Sequence, residues 1–105
     1  MTVVALLSVA PVKEGSMAEE VAQAIAALDS FDVSYETNPM GTVIEADDIG
    51  TLLDAVGAAH KAVNADRVST FLKIDDKRTV DSPAHAKVEH VEQELGHPAK
   101  GERKD

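Results

Sequence analysis

The chain has 105 residues, 44% apolar and 28% charged, with no cysteine and a formal net charge of −9. That length supplies one domain, which should bury roughly 65% of its unfolded surface, and the apolar fraction excludes a disordered chain. The missing thiols exclude a disulfide framework, a thiolate metal site and a cysteine nucleophile, while the negative field disfavours phosphate backbones and anionic lipid.

Aromatic residues are limited to Phe31, Tyr35 and Phe71, so the core must be built from Val, Leu, Ile and Ala. Residues 1–9 show no basic n-region and no spanning run, so no signal peptide is expected and a cytoplasmic location fits. The acidic excess suits a high-salt cytoplasm, and stability is expected to rise from low to molar KCl.

Residues 2–9 read as a strand that is apolar on both parities, so both of its faces should be covered; Pro11 stops it. Ser16 opens a helix, with Glu19 at the spacing of a reciprocal capping box. Met17, Val21, Ile25 and Leu28 form its apolar stripe. Val33, Tyr35 and Thr37 alternate with polar residues as a half-buried strand. Asn38-Pro39-Met40-Gly41 makes a turn, and Thr42 to Glu45 returns as a short strand, which completes a hairpin. Asp47 or Asp48 caps a second helix whose buried face is marked by Ile49, Leu52, Leu53, Val56 and Val63. A last strand runs from Val68 to Asp75, with Val68, Thr70, Leu72 and Ile74 on one face and Ser69, Phe71, Lys73 and Asp75 on the other.

Ser82-Pro83 starts a third helix, with Ser82 as cap, a stripe of Ala84, Val88, Val91 and Leu95, and Gly96 as its stop. Residues 97–105 form a polar tail beyond a domain of residues 1–96. The order predicts an α+β fold, the ferredoxin-like βαββαβ arrangement with an added C-terminal helix and an antiparallel sheet. Helices cover only one face of such a sheet. The second face, which carries Phe71, calls for partial cover by the third helix and for a second subunit packed sheet to sheet.

His60, His85, His90 and His97 do not share the three- or four-residue spacing of a helical ligand pair, so they read as surface or boundary residues rather than metal ligands. Asp75-Asp76-Lys77-Arg78 reads as a solvated turn ahead of a magnesium or cation site. Lys73 and Glu45 sit within apolar stretches, where a charge is paired, functional or at an edge. Gly15 before the first helix lacks a phosphate-loop pattern, and no serine has a nucleophile-elbow context, so catalysis has no positive support.

Several segments in this order resemble the small thiamine-binding proteins of the YkoF-like superfamily. They are Ser8-Val9-Ala10-Pro11, then Tyr35 to Glu45 with its Pro39-Met40-Gly41-Thr42 core, Arg67 to Thr70, Leu72 to Arg78 with Lys73-Ile74-Asp75-Asp76, and Lys87-Val88-Glu89. The resemblance implies a ferredoxin-like fold, a homotetramer built as a dimer of dimers, and binding of thiamine or its hydroxymethylpyrimidine moiety without catalysis or cofactor. Carried over by position, it implies a ligand site of Ser8, Thr37, Met40, Thr42, Glu45 and Lys73. Ser8 and Thr37 would offer hydroxyls to the aminopyrimidine. Glu45 would accept from its amino group or meet the thiazolium charge, Met40 would pack on a ring, and Lys73 would pair with Glu45 or bind an anionic substituent. The chain departs from the family in the short segment Val12 to Ser16, where a longer Gly-, Ser- and Thr-rich loop is usual.

The competing reading is a regulatory or scaffolding oligomer with no physiological thiamine ligand. An acylphosphatase-type hydrolase would need an arginine near the first loop, where Lys13 is the only cation. A nucleic-acid reader would need exposed aromatics and a basic surface.

Overall fold

Alternation along β1 (Thr2–Pro11) sets the architecture. The computed structural model describes residues 2–101. In it Val3, Ala5, Leu7 and Val9 are buried, at 7% exposure or less, while Val4, Leu6, Ser8 and Ala10 on the opposite parity are half-buried. β1 is a central strand in the order β2-β3-β1-β4, with every pairing antiparallel. The other strands are β2 (Ser34–Asn38), β3 (Gly41–Ala46) and β4 (Val68–Lys77). This is the expected ferredoxin-like arrangement, with α1 (Ala18–Leu28) and α2 (Ile49–Ala62) on the odd-parity face of β1 and α3 (Ala86–Leu95) added at the C-terminus.

The core joins β1 to Ile44 and Ala46 of β3, to Ala24 and Leu28 of α1, and to Leu52, Ala55, Val56 and Ala59 of α2. Alanines at 24, 55 and 59 let two helices and a sheet approach closely without aromatic filler. The buried faces differ from the expected stripes by one position. In α1 the buried residues are Glu20, Ala24 and Leu28, whereas Met17 is 40% exposed and Val21 and Ile25 are half-buried. In α2, Ile49 and Leu53 face solvent, and the small residues Ala55 and Ala59 take the inner line.

Burying Glu20 requires a counter-charge. Lys13 of the preceding loop supplies it through an ion pair, which holds the Glu20 carboxyl below the usual range against the opposing effect of burial. The second carboxylate oxygen, Oε2, is buried without a hydrogen-bond partner.

Two helix starts differ from expectation. The Ser16–Glu19 capping box does not form: Ser16 Oγ accepts from the Ala18 N–H at 3.3 Å, and the helix begins at Ala18. The hydroxyl closes a local two-residue turn instead of reaching the third amide. Ser82 does not cap α3 either: the helix begins at Ala86, too far along the chain for the Ser82 hydroxyl to serve its first turn, and the Ser82 N–H is given to Thr2 Oγ1 at 3.2 Å. Of the two candidates for the cap of α2, Asp47 and Asp48, it is Asp48 that accepts from the Thr51 N–H, at 2.8 Å. Gly96 ends α3 with φ +78°, its N–H returning to the Glu92 carbonyl.

β2 was expected to be half-buried but is exposed throughout, because it is the outermost strand. Its short length and Glu36 suit an edge, as do the charges of β4 at the other edge. β4 runs on to Lys77, so Asp75 and Asp76 are strand residues on opposite faces and not a turn. Of the polar tail, residues 97–101 carry no helix or strand, and residues 102–105 lie outside the described residues. No described helix is long and apolar enough to cross a membrane.

Candidate functional site

The β2–β3 hairpin is built by its turn. Asn38 Oδ1 accepts from the N–H groups of Met40 at 2.9 Å and Gly41 at 3.1 Å, closing the turn over Pro39. Gly41 then passes so close to β1 that a Cβ there would lie 2.9 Å from the Leu7 carbonyl oxygen. The hairpin is thereby held against β1 with Met40 at its tip, 82% exposed.

Between this hairpin, the second half of β1 and the first turns of α1 lies a pocket of about 280 Å³. Its walls are apolar: Leu7 and Val9 from β1, Met17 immediately before α1, and Val21 and Ile25 within it. The residues displaced from the buried stripe of α1 are therefore pocket wall. Met17 and Met40 both line it, and both are flexible thioethers able to adapt to a ring.

The polar feature is a pair of hydroxyls. Thr37 and Thr42 face each other across β2 and β3 on the helix side, with Oγ1 atoms 3.2 Å apart, and Thr42 is 5% exposed. Two hydroxyls bonded to each other use one proton between them. A second O–H and several lone pairs remain for a ligand that both donates and accepts. No residue lining this pocket is ionisable at neutral pH.

The six residues implied by the resemblance are divided by the sheet. Thr37, Met40 and Thr42 line the pocket, and Ser8 borders it. Ser8 is nevertheless paired with Phe71, on the parity of the opposite, open face. Glu45 and Lys73 also belong to that face, Glu45 opposite Val4 and Lys73 opposite Leu6. Because Val4 is paired in turn with Asp75, Glu45 is level with Asp75 and one strand removed from it. The expected Lys73–Glu45 pair is not among the ion pairs of the described residues.

The open face has its own cavity, about 560 Å³, between the start of α3 and the strands, lined by Val4, Val43, Glu45 and Val88 among others. Two side-chain contacts bridge it. His85 Nε2 lies 2.9 Å from Glu36 Oε2 on β2, and Lys87 pairs with Asp75 on β4. Lys87 holds the Asp75 carboxyl below its ordinary value, and Glu36 pushes the His85 imidazole up. Among the other expected sites, His60 Nδ1 is hydrogen-bonded to Thr70 Oγ1 and Asp76 meets Arg78. Among the described residues, no group of three or more His, Cys, Asp or Glu could hold a metal ion.

The family model for the thiamine-binding protein matches residues 5–92. The chain belongs to the thiamine-binding protein family. A UPF0045 protein of Methanothermobacter thermautotrophicus is 46% identical over 83 residues, 76% of this chain and 84% of its own length. Another, from Methanocaldococcus jannaschii, is 36% identical over 92 residues, covering 85% of this chain and 91% of the relative. The crystal structure of a hypothetical protein from Methanocaldococcus jannaschii superposes with a TM-score of 0.78 at 35% identity, over 86% of this chain and 95% of that one. A putative thiamine biosynthesis/salvage protein from Thermotoga maritima gives 0.74 at 26% identity, over 87% and 99%. The segment that the family model matches runs from within β1 into α3, so it includes both the hairpin pocket and the open face.

Proposed function

We propose that the chain is a non-catalytic binding protein for thiamine or its hydroxymethylpyrimidine moiety, acting in the cytoplasm as a homo-oligomer, with the pyrimidine in the pocket between α1 and the hairpin. The observation that carries this reading is the Thr37–Thr42 hydroxyl pair in an apolar pocket of about 280 Å³. An aminopyrimidine offers ring nitrogens that accept and an amino group that donates, which is what two mutually bonded hydroxyls can satisfy. The volume, at the small end for ligand sites, suits one substituted ring. The pocket holds no charge of its own, so the cationic thiazolium would stay at the mouth beside Met40, within the field of a chain of net charge −9. General acid–base chemistry needs an ionisable group at the reacting atoms, and the pocket lining supplies none.

The oligomer is supported by exposed apolar side chains: Phe71 of the open face is 59% exposed, and Val91 and Leu95 of α3 are 57% and 50% exposed. The same residues favour the second reading, an oligomer whose assembly is its function.

Titration calorimetry with thiamine and with hydroxymethylpyrimidine tests the proposal, with oligomer mass measured by light scattering in the same buffer. Thr42→Val keeps the shape and removes one hydroxyl, so affinity should fall about 2- to 12-fold, the equivalent of about 0.5–1.5 kcal/mol. Met40→Ala should weaken binding without lowering the melting temperature, because Met40 contributes almost no buried surface. Absence of heat with either compound from an intact oligomer would leave the assembly reading standing.

A further inference from the structure

α1 has two candidate inner faces. Hydrophobic pattern favours Met17, Val21, Ile25 and Leu28, whereas the line that is buried is Glu20, Ala24 and Leu28. At 3.6 residues per turn the two differ by a rotation of roughly 60° about the helix axis. In the observed rotation Met17, at the helix start, is 40% exposed, and Val21 and Ile25 are half-buried. All three stand in the wall of the pocket that Thr37 and Thr42 also line. The other rotation would carry these side chains toward the core and bring Glu20 out to water. The pocket would then lose one wall.

Burying a carboxylate where an apolar residue is one position away is unfavourable by itself. What offsets it comes from outside the helix. Lys13 pairs with Glu20, whose side chain is 9% exposed. The other carboxylate oxygen, Oε2, is buried without a hydrogen-bond partner, so the hold on Glu20 rests mainly on Lys13. The pair also ties down the connection between β1 and α1. Apart from the bonds that start the helix, residues 12–17 have one other polar tie among the described residues, from the Val12 N–H to the Arg67 carbonyl at 2.8 Å. Met17, at the cap position, makes no side-chain capping bond. A buried ion pair adds little stability over apolar residues of like volume, and its best-attested use is to fix a register.

We propose that the Lys13–Glu20 ion pair sets the rotation of α1 and so holds Met17, Val21 and Ile25 in the pocket wall, which makes Lys13 and Glu20 positioning residues for ligand binding. The ligand-binding part rests on the assignment of the ligand to this pocket. The pair lies on the helix side of the sheet, so its effect does not depend on what covers the open face. Without the Lys13 charge, Glu20 is an unpaired buried carboxylate, and rotation of the helix returns it to water.

The test is made first without ligand. The chain has three methionines, Met1, Met17 and Met40, so methyl-labelled methionine gives three signals, and Met17→Leu assigns one of them. In the parent a soluble paramagnetic agent should broaden the Met17 methyl. In Lys13→Leu the Met17 broadening should fall while that of Met40 stays. The double variant Lys13→Leu/Glu20→Leu makes the observed inner line apolar and should restore the parent pattern. Lys13→Gln keeps a donor but no charge and should shift Met17 the same way by less, which gives a reading if Lys13→Leu does not fold. Calorimetry with thiamine and with hydroxymethylpyrimidine is the second readout. Affinity should fall about 10-fold in Lys13→Leu if the observed rotation drops to about a tenth of the population, and should return in the double variant. Unchanged Met17 broadening in folded Lys13→Leu and Lys13→Gln overturns the proposal, and so does a double variant that stays as altered as Lys13→Leu. Absence of binding to the parent counts against the pocket assignment alone, and the methyl signals then decide the rotation.

Discussion

Replacing Gly41 with alanine tests the link between hairpin, core and pocket. A Cβ at this position would stand 2.9 Å from the Leu7 carbonyl oxygen and 3.1 Å from Leu6 Cδ1. The first contact is with backbone, and β1 is pinned on both sides by β3 and β4, so it cannot yield by a rotamer change. Overpacking of this kind costs about 1–3 kcal/mol. For a domain of this size about 1 kcal/mol lowers the melting temperature by roughly 4–8 °C, so Gly41→Ala should melt at least ~4 °C lower and bind ligand more weakly. Gly57 is the control. It lies inside α2, and a Cβ there meets nothing within 4 Å. Alanine should stabilise it by about 0.4–1 kcal/mol through the unfolded chain. Urea denaturation followed by far-UV circular dichroism, with m held constant, reads both. Equal midpoints for Gly41→Ala and the parent would refute the claim that close strand approach fixes the hairpin.

Leu28→Ala removes a side chain that is 0% exposed between α1 and the sheet, and should cost about 2–5 kcal/mol in the same assay. Asp48 caps α2, and its bonds from Thr51 hold its carboxyl below the ordinary value. The stability that Asp48 contributes is therefore present above about pH 3.9 and is lost as pH falls through its depressed folded value. The gap between the parent and Asp48→Ala, measured by denaturation from pH 6 to pH 2.5, should close at the acid end.

The parts of the fold legible in the sequence are those where local chemistry leaves one choice. The parity of β4, the turn at Asn38 to Gly41, an aspartate cap at residue 47 or 48 and the stop at Gly96 all follow from residue type and spacing, whereas β1, apolar on both parities, does not reveal which of its faces meets the helices. The buried stripe of α1 was less legible because Glu20 sits in it, and a hydrophobic pattern passes over a carboxylate. The counter-charge that permits it, Lys13, is in the preceding loop and becomes its partner only when the chain turns there. Shifting the stripe to Glu20, Ala24 and Leu28 turns Met17, Val21 and Ile25 from core into pocket wall. The exposure of β2 depends on sheet order, which is a property of the whole sheet and not of five residues. The separation of Thr42 from Glu45 was readable in principle, since residues three apart on one strand point to opposite faces. The level of Lys73 relative to Glu45 was not, because register is set across two pairings.

That separation bears on how the residues implied by the resemblance could share one ligand. Within one protomer, Thr37 and Thr42 face the helices while Glu45 and Lys73 face away, with the sheet between them. A ring bonded to the Thr37–Thr42 pair cannot also reach Glu45 of the same chain. Either Glu45 takes no part in binding, or a second copy brings its open face to the mouth of the pocket. The two cases separate on protein concentration. If a second copy supplies Glu45, Glu45→Gln weakens binding at concentrations that keep the oligomer intact and has no effect on dilution to the monomer, while Thr42→Val weakens binding in both regimes. If Glu45 is uninvolved, Glu45→Gln leaves affinity unchanged throughout. A loss from Glu45→Gln that is equal in monomer and oligomer would place the ligand in the open-face cavity that Glu45 lines and would overturn the assignment to the Thr37–Thr42 pocket.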